Sequence, residues 1–379
     1  MRTLVLGAGF GGITVASELQ RLLGGAHEVL LLDRRDTFLM GLRKLWALVG
    51  LGTLEEGRRP RARLSGKGVR FIHADVRSID PTARRVQTDA GSFDGDFLVI
   101  ALGAQPRADL VPGLADHAHN LYDADAIPPL ANAIGEFDGG RIVIVIAGVP
   151  YRCPPAPYEC AMLLDAHLRA RGIRDRASLT VTTLQPMLLP NAGREGSAWL
   201  AEQLTARGVE FRVAQKVTRV EDHCVVYEDA TLDADLLIGV PPHRPPAVVR
   251  ESALRDGEWI RVDPGTLATA YAHVFAVGDV TQITLANQLP LPKAGLFAEL
   301  QGARVAAGIA AEVRGEPPPP PFDGRGYCFL ETGSAGAARV EGDFYARPEP
   351  RIQVVAPTAA QAQQKRRFEE ERLARWFGS

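Results

Sequence analysis

The chemistry open to this chain is concentrated in two short cysteine-bearing segments. Val149–Cys160 reads V-P-Y-R-C-P-P-A-P-Y-E-C, with Cys153, Glu159 and Cys160 close together, and Gly326–Thr332 reads G-Y-C-F-L-E-T around Cys328. A thiolate is a nucleophile and a metal ligand, and two cysteines can alternate between dithiol and disulfide. Four cysteines in 379 residues, the fourth being Cys224, are too few for a disulfide scaffold. Their spacings of 7, 64 and 104 residues include no C-x-x-C, which argues against a metal cluster and against thioredoxin chemistry. No C-x-x-C-H is present to attach a c-type haem. Cys224 reads as a buried, inert thiol. His117 and His119, in the loop stretch Gly113–Ala124, read as exposed histidines.

The elements that must position these groups begin at the N-terminus. Arg2–Leu6 is a short apolar strand, followed without a gap by Gly7-Ala-Gly9-Phe-Gly11-Gly12. Ile13, Ala16, Leu19, Leu22 and Leu23 then fall in helical register, and a second strand, Val29–Leu32, closes on Asp33. Gly7, Gly9 and Gly12 satisfy G-x-G-x-x-G, which permits a tight turn and lets a pyrophosphate approach the amides of a helix N-terminus. Asp33, followed by Arg34, can accept hydrogen bonds from an adenosine ribose. Strand, motif, helix, strand and acid in this order mark a dinucleotide site. In Asp36–Thr53, Arg43 and Lys44 face either phosphate and flavin or solvent.

Two later segments extend this site. The buried strand Phe97–Ala101 leaves through Gly103, suiting a chain that passes the cofactor on its way to another domain. The apolar strand Val274–Val277 presents Gly278-Asp279 at its end, where a carboxylate can hold the hydroxyls of a ribityl chain, which FAD has and NAD lacks. Leu291-Pro-Lys293-Ala-Gly295 then leads into a helix over Leu296–Val313, whose N-terminus can stabilise negative charge on a reduced isoalloxazine.

From Arg141 the strand–helix rhythm starts again, with strands at Arg141–Ala147, Ser178–Leu184 and Val209–Val213 and helices at Tyr158–Arg171 and Glu195–Ala206. This is a repeat of architecture without its chemistry. After Gly148 the phosphate glycines are missing, and proline removes the amides a phosphate would use, so NAD(P) is not expected here. Strand-like Lys216–Tyr227 and Asp235–Val240 follow, then a stiff return crossing, Pro241–Pro246. The expected organisation is an FAD-binding domain over 1–105 and 247–315, a second Rossmann-like domain over 106–246, and a C-terminal domain over 316–379. Five consecutive prolines open the last. A strand pair is expected around 335–345, and a charged helix over Gln361–Phe377 carries Phe368, Leu373, Trp376 and Phe377 on one arc. That helix either docks on the protein or on a dimer mate, or rests on a membrane surface through Lys365, Arg366, Arg367, Trp376 and Phe377.

A net charge of −2 excludes an electrostatic nucleic-acid binder, and no apolar run approaches the length of a membrane span. The N-terminus enters a strand at once, so no signal peptide is expected. The expected location is cytoplasmic, with peripheral contact at the inner face of the membrane through the tail.

The order of these signals resembles the pyridine nucleotide-disulfide oxidoreductase superfamily. Within it, Y-R-C-P-P-A-P-Y-E, L-P-K-A-G-L-F-A-E-L-Q-G and G-Y-C-F-L-E-T resemble sulfide:quinone oxidoreductases and the flavoprotein subunit of flavocytochrome c sulfide dehydrogenase. The resemblance implies an α/β fold of two nested Rossmann-like (three-layer ββα) domains with a small C-terminal α+β domain. It implies FAD held without a cysteinyl link, since the first cysteine is Cys153. Cys153 and Cys328 match a redox disulfide beside the flavin, Glu159 a neighbouring carboxylate, Gly278 and Asp279 the ribityl site, and Lys293 a segment passing the ring. Cys160 matches no family role. The implied substrate is sulfide or a small thiol or persulfide, the acceptor a quinone or a cytochrome, and a homodimer is compatible. Residues 104–150 lack the third cysteine of many quinone-linked members, and the export signal of cytochrome-linked members is also missing. Two other readings are a type II NADH:quinone oxidoreductase and a flavoprotein without turnover that serves as a sensor or electron-transfer subunit.

Overall fold

In a computed structural model, which describes residues 1–333 and 336–378, two five-stranded parallel sheets form the body of the chain. The first runs Val274–Ala276, Phe97–Ile100, Arg2–Leu6, Glu28–Asp33, Arg70–His73 in spatial order. Its central strands are buried almost throughout, as expected of parallel strands covered on both faces. The second runs His119–Asn120, Leu236–Val240, Gly140–Ile146, Ala177–Thr183, Val209–Arg212. Each sheet has an antiparallel three-stranded companion, over Val76–Asp94 and over Val217–Asp233. The architectural repeat read from the sequence is therefore present twice over. Gln105–Pro106, leaving the first sheet, pairs antiparallel with His243–Arg244 on the return, so the two crossings brace each other.

Local differences have local causes. Lys216–Tyr227 is a hairpin, Val217–Glu221 with Cys224–Tyr227, because His223 turns the chain at φ 55°. Cys224, on its second strand, is half-buried and not buried as expected. The C-terminal sheet has three antiparallel strands, Arg325–Glu331, Ala337–Asp343 and Arg351–Thr358. The first carries Cys328, the second falls within the expected pair around 335–345, and the third was not foreseen. Ala335 of that expectation lies outside the described residues.

The tail helix, Ala359–Phe377, starts at Thr358, whose hydroxyl accepts from the Gln361 amide. Its buried stripe is Gln361, Lys365, Glu369, Leu373, Trp376 and Phe377, the i, i+4 spacing of one helical face. The helix docks on the body of the protein. The Trp376 ring meets Phe10 edge-on at 5.3 Å and Phe38 at 5.7 Å, and Phe377 lies 5.4 Å from Phe38. With Lys365 and Trp376 each 1% exposed and Phe377 buried, the docking alternative holds for these three side chains, and the membrane-surface alternative loses them: packing has taken all three. Among the described residues no helix is long and apolar enough to cross a membrane.

Removing the Trp376 indole leaves a cavity against the start of the glycine-loop helix. Trp376→Ala is expected to lower unfolding free energy by about 3–5 kcal/mol in chemical denaturation. A loss below about 1 kcal/mol would mean that the tail docks loosely.

Candidate functional site

Four predicted groups sit at or just beyond the carboxyl ends of adjacent parallel strands: Gly7, Asp33, Gly103 and Gly278. This edge of an open α/β sheet is where ligands bind. Gly7 has φ 95°, and a Cβ there would lie 2.3 Å from the Ala101 carbonyl oxygen. A Cβ on Gly12 would lie 1.8 Å from the Gly7 oxygen. Both glycines are therefore required by the turn itself. Gly9 differs: its φ is −90° and a Cβ would meet nothing within 4 Å, so neither backbone nor packing demands glycine. A glycine here leaves the helix N-terminus open to close approach, and the loop fits a dinucleotide pyrophosphate.

Asp33 Oδ2 accepts from the Ala8 amide at 2.6 Å and Oδ1 from the Arg35 amide at 2.8 Å, which fixes the carboxylate beside the loop. Arg34 is exposed, with its carbonyl 2.9 Å from His73 Nε2. Arg61 was not singled out in the sequence. Its guanidinium donates to the Ala8 carbonyl at 3.0 and 2.9 Å and lies 3.4 Å from Asp33, bracing the loop from below. In the sequence it is one arginine in a basic stretch. Only tertiary placement distinguishes it.

Asp279 is half-buried, and its desolvation holds the carboxyl above the ordinary range against the pull of Lys293 and Arg152. The Gly278 amide donates to Gln301 Oε1 at 2.7 Å, fastening the strand end to the helix Gly295–Arg314. Lys293 Nζ donates to the carbonyls of Asp279 (2.7 Å) and Thr281 (3.2 Å) and lies 3.6 Å from the Trp259 ring centroid. Burial brings its pKa down to about 8. Asp279 and Lys293 line one small cleft with Phe297 and Gln301.

The thiol segment joins this cleft through the backbone. Cys153 donates its amide to the Lys293 carbonyl at 2.7 Å, and its own carbonyl accepts from Ala156 N at 2.9 Å and Tyr122 Oη at 3.3 Å. These bonds hold it at φ 48°, a left-handed conformation that a non-glycine residue adopts only when its surroundings impose it. The prolines around it open the helix Ala156–Ala170, where a missing amide costs nothing. Burial, reinforced by the Glu159 charge, raises the Cys153 thiol to about 12. Cys328 is raised by burial, then by Cys153 and Glu159, so the three groups share one electrostatic neighbourhood. Cys160 is buried and likewise raised. All four cysteines are free thiols in the structure.

Glu159 is at the centre of a network that the sequence reading missed. Lys365, from the tail helix, donates to Glu159 and, at 3.2 Å, to Glu331, and Trp46 Nε1 donates to Glu331 at 2.6 Å. Glu159, Lys365 and Glu331 are at most 5% exposed. Burial raises Glu159 to about 7; Lys365 opposes the shift and Glu331 adds to it. Two carboxylates face one ammonium, and enclosure in this network makes Glu159 harder to ionise. Lys365 loses by burial but gains more from the two carboxylates, so its charge is held.

Arg43 and Lys44 are half-buried and engage protein groups, not a solvated helix face. Arg43 Nε bonds Glu369 at 2.7 Å, and Lys44 Nζ donates to the Tyr122 carbonyl at 2.5 Å, with burial pulling Lys44 down to about 7. His243 is fully buried with Nδ1 3.0 Å from the Pro241 carbonyl, and burial presses it down to about 2. His117 is exposed as expected, whereas His119 is half-buried in the second sheet.

Folded Glu159 holds its proton up to about pH 7, whereas its ordinary value is 4.5. Between these values the folded chain binds more protons than the unfolded one, so stability falls as pH rises. Glu159→Gln removes that slope. Between pH 5 and 8 its stability relative to the parent is expected to improve by on the order of 1–3 kcal/mol. A difference that does not change with pH, measured by denaturant titration, would give Glu159 an ordinary pKa.

Comparison with known proteins agrees with this layout. The family described as pyridine nucleotide-disulphide oxidoreductase matches residues 1–291. The mitochondrial sulfide:quinone oxidoreductase of Mus musculus is 26% identical over 371 residues, 91% of this chain and 78% of that protein. A type II NADH:quinone oxidoreductase of Staphylococcus aureus (strain NCTC 8325 / PS 47) is 25% identical over 336 residues, 83% of each. The fold of the sulfide:quinone oxidoreductase from Aquifex aeolicus superposes with a TM-score of 0.89 at 23% identity, covering 99% of this chain and 91% of that one.

Proposed function

We infer that this chain, which belongs to the pyridine nucleotide-disulphide oxidoreductase family, is an FAD-dependent oxidoreductase of the sulfide:quinone oxidoreductase branch that oxidises sulfide or a small thiol or persulfide. The observation that carries the reading is the tie between the two halves of the site. The Cys153 amide donates to the carbonyl of Lys293, whose ammonium holds the Gly278–Thr281 loop. A thiol is thereby fixed beside the cleft proposed for the flavin.

In this reading residues 1–105 and 247–315 hold FAD, 106–246 form the second Rossmann-like unit, and 316–379 supply Cys328 and the tail. Gly7, Gly9 and Gly12 receive the pyrophosphate, Asp33 the adenosine ribose with Arg34 at its rim, and Gly103 passes the cofactor. Gly278 and Asp279 take the ribityl chain, and Lys293 lies against the ring. FAD, when bound, supplies a two-electron acceptor that can pass electrons on singly or in pairs. A quinone or a cytochrome is the proposed final acceptor.

The protein's own contribution is sulfur and proton chemistry. Cys153 and Cys328 form a disulfide in the oxidised state. Hydrosulfide attacks the Cys153 sulfur and a new S–S bond forms. The Cys153–Cys328 bond breaks, and its electron pair leaves on Cys328 as thiolate. Burial raises both thiols, so a free thiolate is disfavoured there and Cys328 is a ready electron donor. Glu159 takes and returns protons beside the pair, with its pKa near the working pH as an acid–base group requires.

Similarity to the staphylococcal enzyme supports NADH as donor, but the second strand–helix junction opposes it. Gly148 faces Pro242, with a Cβ there placed 2.6 Å from the proline, and Pro150, Pro154 and Pro155 follow before the helix begins. Anaerobic mixing separates the readings. Sulfide is expected to bleach the bound flavin, and Cys328→Ser to abolish the bleaching. Bleaching by NADH alone would install the NADH reading, and no response to either donor would leave a flavoprotein without turnover.

A further inference from the structure

Two cations converge on one backbone carbonyl without either being neutralised. Lys44 Nζ donates to the Tyr122 oxygen at 2.5 Å, and Arg152 Nη2 donates to the same oxygen at 3.4 Å. Among the described residues neither side chain forms an ion pair, and the Arg152 Nε–H is enclosed without a hydrogen-bond partner. Burial first and Arg152 second pull the Lys44 ammonium down to about 7, with Asp123 and Asp125 opposing in part. Enclosed cations that repel each other, one of them with an unused donor, favour an anion held between them.

His243 adds a different demand. It is 0% exposed, its ring meets Tyr122 edge-on at 4.8 Å, and Arg152, Lys44 and Lys293 are the charges that act on it. Nδ1 lies 3.0 Å from the Pro241 carbonyl, which can only accept, so the ring proton sits on Nδ1. Nε2 is then a bare lone pair, enclosed and, among the described residues, without a partner. A simple anion leaves it unmatched, whereas a ligand that also carries an N–H satisfies it.

The cluster borders the thiol. Arg152 precedes Cys153 in the chain, its Cζ lies 6.0 Å from the Tyr122 ring centroid, and Tyr122 Oη donates to the Cys153 carbonyl at 3.3 Å. The His243 amide donates to the Pro150 carbonyl at 2.8 Å, which ties it to the same segment. On its other side Arg152 acts on Asp279, at the cleft proposed for the flavin.

We propose that Lys44, Arg152 and His243 bind a thiol amino acid, a small thiol bearing both a carboxylate and an N–H donor, as a substrate of the Cys153 site. This rests on the sulfur reading above and narrows its substrate class. The carboxylate lies between the two cations, the ammonium donates to His243 Nε2, and the sulfur is directed at Cys153. The thiolate RS⁻ bonds to the Cys153 sulfur, the Cys153–Cys328 bond breaks, and its electron pair leaves on Cys328. A second RS⁻ attacks the mixed disulfide, RSSR departs, and Cys153 is left as thiolate. The two thiolates close again to a disulfide as one electron pair passes to the bound FAD. The balance is two thiols and oxidised FAD giving one disulfide and reduced FAD, with two protons shared between FAD and solvent.

The test is anaerobic stopped-flow bleaching of the flavin in the holoenzyme by cysteine, 3-mercaptopropionate and 2-mercaptoethanol. The first has carboxylate and ammonium, the second carboxylate alone, the third neither. Each rate is divided by the same protein's rate with 2-mercaptoethanol, and variants are compared with the parent thiol by thiol, so intrinsic thiol reactivity cancels. Lys44→Gln and Arg152→Gln are each expected to lower the ratio for cysteine and for 3-mercaptopropionate by about 10-fold, the loss of one charge-assisted hydrogen bond. His243→Phe keeps a ring against Tyr122 and is expected to lower the ratio for cysteine but not for 3-mercaptopropionate. Should the substitutions fail to fold, the parent protein still decides. S-methylcysteine, which has no thiol to react, is expected to slow bleaching by cysteine competitively, and its methyl ester is not. Ratios that stay unchanged in the variants, or no competition by S-methylcysteine, overturn the site alone. A parent flavin that neither sulfide nor any of the three thiols bleaches overturns the sulfur reading and the site together.

Discussion

The buried ammonium of Lys365 is the constraint on which the rest of the site depends. It reaches Glu159 on the helix behind Cys153 and Glu331 on the strand that carries Cys328, and it belongs to the last helix of the chain. Three stretches that meet only through tertiary folding are thus held by one charge. Burying a cation and two carboxylates is expensive, and such a cluster seldom adds net stability over an apolar replacement. Breaking it by removing one partner leaves uncompensated buried charge, at a cost of about 3–5 kcal/mol. The cluster therefore specifies geometry and protonation more than it adds stability. Burial first, and the neighbouring Glu331 second, raise the Glu159 carboxyl against the pull of Lys365.

The glycine-loop end is organised by the opposite means, the absence of side chains. Close approach at Gly7 and Gly12 shapes the loop. Gly302 does the same between two helices, since a Cβ there would lie 2.7 Å from the Gly11 carbonyl oxygen. Arg61 and Asp33 then hold the loop's peptide groups in place. The glycine-loop end is shaped by backbone packed on backbone, and the thiol end by enclosed charge. Lys293 joins them, using its carbonyl for Cys153 and its ammonium for the Gly278–Thr281 loop.

Much of the fold was legible in the sequence, since strand, glycine loop, helix and acid follow one another locally, and the second sheet repeats their rhythm. Gly7, Gly9, Gly12, Asp33, Gly278 and Asp279 announce themselves by spacing along one chain segment. Lys365 does not. It sits at the i+4 position between Gln361 and Glu369, so a polar run looks solvated although it is a buried face. Glu159 and Lys365 are 206 residues apart, and nothing local predicts that they meet. Arg61 and Trp259 were hidden for the same reason, each being defined by a distant partner. The hairpin at His223 was missed because its turn uses a left-handed non-glycine residue.

Peptide mapping of the oxidised protein by mass spectrometry under non-reducing conditions tests the central claim most directly. The account predicts a peptide pair linked through Cys153 and Cys328 that disappears on sulfide treatment, with one extra sulfur appearing on the Cys153 peptide. Recovery of Cys153 and Cys328 as free thiols under every oxidising condition, or of Cys153 linked to Cys160, would contradict it.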